Sequence, residues 1–519
     1  MSLEERSYLD VSLRKIAKGA GIAFIGTFIG TAFGYFSRMT IARFLGASDY
    51  GLVNLGFAVM NIAAAISLLG LNTGIQRFVS FYKGKGGRGQ IKGTILGALK
   101  ISFPLSLILT SLIFFYADWI SINIFKETLL TPVLKIFAIA VPFWVLSDIF
   151  NSGTVGFQEI KYKIYSTLVF KDTFKLIAIV AFIALGYGVI GASIGWVMAI
   201  IFTAVLAFYY LEWRVFPIFN TEVKAVSVDK ELLFFSLPLI FAGFAGLVTG
   251  WTDTVMLGYF RTTSEVGIYN AAMPTARLLG IVLSAFGIIF MPIVTELYAK
   301  GKIEDLRNVY ASVTKWIFAL ILPGFLLMTL FSVSIISIMF GPEYVEGATA
   351  LSILAFSFFV SALLGLAPSL LTTFGRTKIV MGCSFVCACS NILFNLILIP
   401  MYGINGAAIA TGASIILMSF LYLIFVYRVV KTQPFRMSYL KPLFASSIAV
   451  LAVYIITTQV IGISLFSLAT MLVVFLILYF FLLLLFKSFE EEDLMIMRAI
   501  DRRLGIKSDW LREIIKRFL

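Results

Sequence analysis

Seven charged residues lie deep within long apolar stretches of this sequence, where a charge is costly and usually has a function. They are four cations and three carboxylates: Arg38, Lys171, Lys175 and Arg277, and Asp148, Asp172 and Asp253. The excess of cations favours an anionic ligand, above all a phosphate or diphosphate, because arginine can bind such a group through two parallel hydrogen bonds. The three carboxylates are candidates for ion coupling or for charge pairing.

Some of these residues also have a structural interpretation. Asp172 and Lys175 lie about one helical turn apart, so they could form a local ion pair, with Lys171 on the same helix face. Arg277 could pair with Asp253 in the same way. The sequence leaves open whether these cations hold a ligand or another part of the protein.

Arg38 needs a separate argument, because its long side chain could reach the membrane surface. Gly26, Gly30 and Gly34 precede it at four-residue intervals. We call these three residues the glycine stripe, a row of small residues along which another backbone can approach closely. Since Arg38 continues the stripe, we expect it to face protein or a water-filled cleft and not lipid.

The sequence predicts no bound cofactor. The chain has no histidine, so a protonation switch at membrane depth would have to use one of the three carboxylates. Gly84, Gly86 and Gly89 match G-x-G-x-x-G, but no strand precedes them and no Walker Lys-Ser/Thr follows, so nucleotide binding is not indicated. Coupling to H+ or Na+, the membrane potential or downhill movement remain as driving forces.

The elements that position these residues are membrane helices. The chain has 519 residues, of which 60% are hydrophobic and 13% charged. In soluble proteins about half of the residues are hydrophobic and about a quarter are charged. Stretches of about 20 apolar residues, long enough to cross a bilayer, recur from Ile16 to Phe486. We predict an all-α polytopic membrane protein with about fourteen transmembrane helices. Cys383, Cys387 and Cys389 fall in one span, where packing is expected and a metal site is not.

The net charge of +14 reflects how the chain is oriented in the membrane and does not indicate a nucleic acid partner. Most of the 41 Lys and Arg residues lie in the two tails and in alternate loops, while the opposite loops hold Lys126 and Arg261. By the positive-inside rule, we expect a multi-pass protein of the cell membrane with both termini in the cytoplasm.

The sequence contains an internal repeat. FLGASDYGLVN (44–54) resembles FRTTSEVGIYN (260–270), and YGVIGASIG (187–195) resembles YGINGAAIA (402–410), at almost the same offset. An even number of helices in each copy gives both copies the same orientation in the membrane. We therefore predict two six-helix lobes, with substrate bound between them.

The repeat sets the expected domain boundaries. Residues 1–215 would form the N-terminal lobe with helices 1–6, and residues 216–430 the C-terminal lobe with helices 7–12. Helices 13 and 14 would occupy residues 431–486. Residues 487–519 are charged and amphipathic, so we expect them to lie along the cytoplasmic interface.

Four stretches resemble the polysaccharide-biosynthesis branch of the multidrug/oligosaccharidyl-lipid/polysaccharide flippase superfamily. They are TIARFLGASDYGLVNL (40–55), SLPLIFAGFAGLVTGWTDTVMLGYF (236–260), TTFGRTK (372–378) and IPMYGINGAAIATG (399–412). The resemblance implies a V-shaped pair of bundles, alternating access and the translocation of a polyprenyl- or dolichyl-(di)phosphate-linked oligosaccharide. It implies phosphate contacts for Arg38 and Arg277, and it places Asp253 at a recurrent acidic position.

Three other functions compete with this interpretation. A cation-coupled multidrug exporter and a flippase for a peptidoglycan lipid precursor would share the architecture. A membrane glycosyltransferase would need an acidic site in a sizeable outward loop, and the outward loops are short and poor in acids. We therefore expect that the chain is not an enzyme and has no catalytic residues. The expected partners are the lipid-linked oligosaccharide, the bilayer and the membrane enzymes that assemble the glycan.

Overall fold

The structure is a computed structural model, which describes residues 3–219, 223–435, 437–456, 465–489 and 513. Within these residues every regular element is a helix and no strand occurs. The predicted amphipathic tail at 487–519 lies outside the described residues, apart from 487–489 and 513.

The helices of the first half of the chain are α1 (Leu3–Leu68), α2 (Leu71–Gly84), α3 (Arg88–Trp119), α4 (Leu130–Gly156), α5 (Ile160–Ile164), α6 (Lys171–Ala184), α7 (Gly188–Tyr209) and α8 (Asp229–Phe260). Wider π-helical turns follow three of them, at Ile120–Ile124, Tyr165–Phe170 and Tyr210–Val215.

The helices of the second half are α9 (Thr263–Arg277), α10 (Gly280–Ala299), α11 (Ile303–Leu330), α12 (Ser332–Met339), α13 (Gly347–Leu363), α14 (Ala367–Thr373), α15 (Thr377–Val430), α16 (Leu440–Ile456) and α17 (Leu465–Leu485). Short 3₁₀ turns lie at Pro342–Tyr344 and Met437–Tyr439.

Two of these helices, α1 with 66 residues and α15 with 54, are long enough to cross a membrane twice. The 66 residues of α1 would extend about 100 Å as one straight helix, whereas a bilayer core is about 30 Å thick. Gly46, with φ 85°, interrupts α1, and Gly403, with φ 53°, interrupts α15. Left-handed angles of this kind favour glycine, so each long helix is divided into two spans.

The fold class predicted from the sequence is confirmed. The described residues contain eight helical segments long and apolar enough to cross a membrane, and two shorter apolar helices. The kinks in α1 and α15 divide two of the eight. The chain is therefore an all-helical, multi-pass membrane protein.

The chain forms two compact units. The first consists of Met1–Ala271 with Ile392–Ala407, and the second of Ala272–Asn391 with Ala408–Leu519. In the second unit, α10, α11, α13, α14 and α15 contribute to a buried apolar core that includes Phe290 and Tyr310. The lobe boundaries expected from the repeat stay a prediction.

Hydrogen bonds explain why Ile392–Ala407 belongs to the first unit. Arg261, just after α8, donates from Nε to the Ile399 carbonyl oxygen at 3.2 Å and from Nη2 to that of Pro400 at 2.9 Å. Asn395 donates to Asp253 on α8 at 2.7 Å. These bonds tie the middle of α15 to the end of α8.

Within the first unit, α8 lies antiparallel along the end of α1 and along α2. A Cβ atom added at Gly258 would approach Leu55 to 2.6 Å, and the ring of Trp251 lies 5.3 Å from that of Phe57. Towards its other end, α8 packs against Gly74 of α2. This packing brings the residues of α8 beside those of α1.

The two repeat copies meet through equivalent glycines. A Cβ atom on Gly51 would overlap the carbonyl oxygen of Thr263, and one on Gly267 would overlap the carbonyl oxygen of Ala47. Gly51 and Gly267 are equivalent at the repeat offset, and so are Ala47 and Thr263. Such a reciprocal contact is typical of two similar surfaces around an approximate two-fold axis.

We predict that Gly51→Ala and Gly267→Ala each lower the free energy of unfolding by about 1–3 kcal/mol, the usual cost of overpacking. The added methyl group would have to push two backbones apart. Gly246→Ala on α8 is the matched control, because nothing lies within 4 Å of a Cβ atom there. Unfolding curves in detergent check this, and equal losses in all three variants would contradict the close contact.

Candidate functional site

The glycine stripe brings α1 against the segment that carries the predicted lysines. A Cβ atom on Gly30 would lie 2.6 Å from the carbonyl oxygen of Leu168, and one on Gly34 would lie 3.6 Å from Asp172 Oδ1. Leu168 belongs to the π-helical turn Tyr165–Phe170, which leads directly into α6. Close backbone packing thus places the start of α6 beside the middle of α1.

Asp172 and Lys175 form an ion pair within α6. Lys175 Nζ lies 2.7 Å from Asp172 Oδ1, and the two side chains are only 6% and 12% exposed. This is the local pair that the sequence offered as an alternative to ligand binding. A buried pair of this kind is strongly coupled, since either charge alone would lack compensation.

Arg38 and Lys171 lie beside this pair, against neutral groups. Arg38 donates from Nη1 to Asn54 Oδ1 at 3.4 Å, and its guanidinium carbon lies 6.0 Å from the ring centre of Trp196. Lys171 Nζ lies 5.3 Å from the ring centre of Trp144. Both distances are within the range of cation–π attraction.

Trp196 connects the cations to each other. Lys175 Nζ lies 4.8 Å from the same indole ring that faces Arg38. We call Arg38, Lys171, Asp172 and Lys175 the cation cluster. It contains three cations and one carboxylate, so it carries excess positive charge among helices of a membrane protein.

The salt bridges of the described residues include neither Arg38 nor Lys171. The carboxylate of the cluster is engaged by Lys175. The arrangement can therefore accept an anion, because Arg38 and Lys171 contact an amide and an indole ring, which compensate their charge only in part.

Aromatic side chains surround the cluster, and the sequence analysis did not single them out. The ring of Phe57 lies 4.4 Å from that of Trp196, 6.1 Å from that of Trp144 and 5.3 Å from that of Trp251. The sequence feature that could have indicated them is the rarity of tryptophan. The chain has seven such residues in 519, and three of them lie here.

Two of the predicted carboxylates have other surroundings. Asp253 on α8 is buried and accepts hydrogen bonds from the Tyr269 hydroxyl at 2.5 Å and from Asn395 Nδ2 at 2.7 Å. Asp148 on α4 accepts a hydrogen bond from Asn72 Nδ2 at 3.2 Å. Both carboxylates thus accept hydrogen bonds from neutral donors, and Asp148 also lies within electrostatic range of Lys163 and Lys171.

Arg277, the remaining predicted cation, is the last residue of α9 and is exposed. It belongs to the second compact unit, whereas the cation cluster belongs to the first. Of the four predicted cations, the first unit thus brings three together.

The contact between Arg38 and Asn54 has an equivalent in the second repeat copy. Asn54 donates to the carbonyl oxygen four residues before it at 2.7 Å, and Asn270, its repeat equivalent, does the same at 2.9 Å. Asn54 Oδ1 accepts from Arg38, and Asn270 Oδ1 accepts from Thr254, in both copies at 3.4 Å. Arg38 and Thr254 are repeat equivalents, so one copy holds a cation where the other holds a hydroxyl group.

Comparisons with known proteins agree with this architecture. The family model described as "Polysaccharide biosynthesis protein" matches residues 16–298, and the MatE model matches residues 238–397. The membrane protein MJ1068 of Methanocaldococcus jannaschii is 26% identical over 412 residues, 76% of this chain and 81% of that protein.

Two further similarities come from a named relative and a solved structure. The probable low-salt glycan biosynthesis flippase Agl15 of Haloferax volcanii is 22% identical over 405 residues, 77% of this chain and 81% of that protein. The inward closed conformation of the lipid II flippase MurJ superposes with a TM-score of 0.71 and 17% identity, over 91% of this chain and 99% of that one. The second likeness shows a shared fold.

The fold defines a multi-pass, all-helical membrane protein. Since its family model covers more than half of the sequence, the chain belongs to the polysaccharide biosynthesis protein family. It thereby belongs to the multidrug/oligosaccharidyl-lipid/polysaccharide flippase superfamily, as its four characteristic stretches predicted.

We predict that Asp172→Asn lowers the free energy of unfolding by about 3–5 kcal/mol, because it leaves the buried Lys175 ammonium without its counter-ion. Lys175→Met should cost a similar amount. The double variant should recover most of the loss, since it removes both charges together. Unfolding curves of the purified protein in detergent measure all three.

The control is the exposed pair of Asp118 and Lys135, which are 3.0 Å apart. Asp118→Asn should leave stability nearly unchanged, because water screens exposed charges. If the double variant of the buried pair lost as much as its two single variants added together, the coupling between Asp172 and Lys175 would be refuted.

Proposed function

We propose that the protein is a flippase for an oligosaccharide linked to a polyprenyl or dolichyl phosphate or diphosphate. The observation that carries this proposal is the excess positive charge of the cation cluster, which suits a phosphate at membrane depth. The family assignment and the relative named as a glycan biosynthesis flippase support the same substrate class.

The chemistry of the substrate fits the surroundings of the cluster. Phosphate oxygens would accept hydrogen bonds from Arg38 and Lys171, whose present contacts are an amide and an aromatic ring. In a low-dielectric site such charge-assisted bonds are about twice as strong as neutral ones. The hydrophilic sugar would follow the phosphate through the protein while the prenyl chain stays in lipid.

The transport cycle would proceed by alternating access. The lipid headgroup would enter from the cytoplasmic side, on which the positive-inside rule predicts both termini, and leave on the opposite side. No covalent step is required. Arg277 would contribute a further cation to the path, and the membrane enzymes that assemble the glycan would supply the substrate.

A cation-coupled multidrug exporter is the second candidate, because the MatE model matches residues 238–397, which include Asp253. The sign of the cation cluster disfavours it, since a cationic drug would be repelled by three neighbouring cations. A peptidoglycan lipid precursor carries the same diphosphate chemistry and remains a variant of the main proposal.

We predict that Arg38→Ala slows translocation of a fluorescent lipid-linked oligosaccharide in proteoliposomes by about 10- to 100-fold. That range corresponds to losing a hydrogen bond to a charged group, about 1.5–3 kcal/mol. Arg38→Lys should retain part of the rate, because it keeps the charge and loses the bidentate geometry. Protection of the fluorophore from an external quencher reports the sidedness of the lipid.

Arg43→Ala is the matched control, because Arg43 is an exposed arginine on the same helix. It should translocate at the rate of the unsubstituted protein. Equal rates for Arg38→Ala and the unsubstituted protein would remove Arg38 from the site. Uptake of a cationic dye without any movement of the glycolipid would select the exporter.

We also propose that Asp253 couples translocation to H+ or Na+. Its carboxylate is buried on α8 and held by Tyr269 and Asn395, so a cation bound there would alter a junction between α8 and α15. We predict that a Na+ or pH gradient accelerates translocation and that Asp253→Asn abolishes this acceleration. Asp148→Asn should keep it.

The measurement is the same proteoliposome assay, with each gradient imposed in turn across the vesicle membrane. A Na+ response together with no pH response would identify the ion, and the converse result would identify the proton. An unchanged gradient response in Asp253→Asn, or its loss in Asp148→Asn, would assign coupling to another carboxylate.

A further inference from the structure

Three tryptophans from different helices converge on one phenylalanine. Trp144 lies on α4, Trp196 on α7 and Trp251 on α8, and Phe57 lies on α1. The planes of Trp144 and Trp251 are inclined to the Phe57 ring by 74° and 76°. The cluster therefore presents indole rings in a fixed arrangement, set by helix packing and not by a loop.

These rings differ in exposure. Trp196 is 3% exposed and Phe57 is 8% exposed, so this pair forms a buried base. Trp144 and Trp251 are partly exposed. A rigid aromatic side chain that is held by a buried base and is itself accessible can bind a ligand at a low entropic cost, because little freedom remains to be lost.

One of the two accessible rings, that of Trp144, lies directly beside the cation cluster. Lys171 Nζ is 5.3 Å from the ring centre of Trp144, and Lys175 Nζ is 4.8 Å from that of Trp196. Trp251 reaches the same group through Phe57, at 5.3 Å. A ligand whose anionic group contacted Lys171 would place its next chemical group within reach of Trp144, and Trp251 packs against the same Phe57 ring as Trp144.

A sugar ring has the chemistry that such a surface accepts. One face of a pyranose carries C–H groups that are apolar and slightly positive, whereas its hydroxyl groups project from the edge. The face of an indole ring is apolar and slightly negative, so the two faces are complementary. In a lipid-linked oligosaccharide, the first sugar is attached directly to the phosphate.

We propose that Trp144 and Trp251 form a sugar-stacking surface for the saccharide unit next to the phosphate. This inference rests on the proposed function and adds a specificity to it. The cation cluster binds the phosphate of any prenyl phosphate, whereas the two tryptophans distinguish a lipid that carries a glycan from one that does not. Stacking tolerates different sugars, because it requires a C–H face and no particular hydroxyl pattern.

The test compares two probes on the full-length protein in lipid nanodiscs. One is a short-chain prenyl diphosphate that carries a disaccharide, and the other is the same prenyl diphosphate without sugar. Dissociation constants are measured for the unsubstituted protein and for Trp144→Leu, Trp251→Leu, Trp144→Tyr and Arg38→Ala. Trp213→Leu is the matched control, since Trp213 is 65% exposed in the π-helical turn after α7.

We expect Trp144→Leu and Trp251→Leu each to weaken binding of the disaccharide lipid by about 3- to 10-fold, the range of an aromatic contact. Binding of the sugar-free lipid should change less than about twofold. Trp144→Tyr should restore most of the affinity, because tyrosine retains a stacking face. Trp213→Leu should change neither constant.

Equal weakening of both lipids in the two leucine variants would overturn the proposal, because it would show that the rings only position the cations. Unchanged binding of both lipids would also overturn it. Arg38→Ala tests the proposed function separately, since it should weaken both lipids alike. If Arg38→Ala changed neither constant while the leucine variants weakened the disaccharide lipid alone, the phosphate assignment would fail and the sugar-stacking surface would stand.

Discussion

The cost of holding charge away from water is the constraint on which this structure depends. A buried ion needs a partner, because apolar neighbours do not replace its lost hydration. Lys175 has such a partner in Asp172, 2.7 Å away, and the face of Trp196 adds a weaker attraction. Arg38 and Lys171 rest against an amide and an indole ring. Their charge is thus only partly compensated, so the cation cluster is suited to reversible binding of an anion.

Glycine makes this arrangement possible. The cations lie on two helices, and they meet because the glycine stripe of α1 lets the backbone near Leu168 approach closely. A side chain at Gly30 would hold α6 away from α1 and separate Arg38 from the lysines. The same device recurs where Gly51 and Gly267 bring the repeat copies into contact. Small residues thus set the distances between helices, and these distances allow the charged and aromatic side chains to contact one another.

Local patterns in the sequence predicted the helices and a protein-facing stripe before Arg38, and they offered the ion pair of Asp172 with Lys175 as one of two alternatives. Each of these depends on residues within about one or two helical turns of each other. The aromatic surroundings were missed for the opposite reason. Trp144, Trp196 and Trp251 meet Phe57 of α1 from three other helices, and within an apolar stretch a tryptophan has the same periodicity as any core residue.

The pair of equivalent asparagines shows which part of the site the scaffold itself requires. Asn54 and Asn270 make the same backbone bond and accept a hydrogen bond from the residue sixteen positions earlier, at the same 3.4 Å. In the second copy the hydroxyl of Thr254 is sufficient for that bond. The scaffold therefore needs a donor at this position and does not need a full positive charge. A guanidinium at membrane depth that the fold can replace by a hydroxyl is retained at a cost, and the proposed binding of an anion would account for the charge of Arg38.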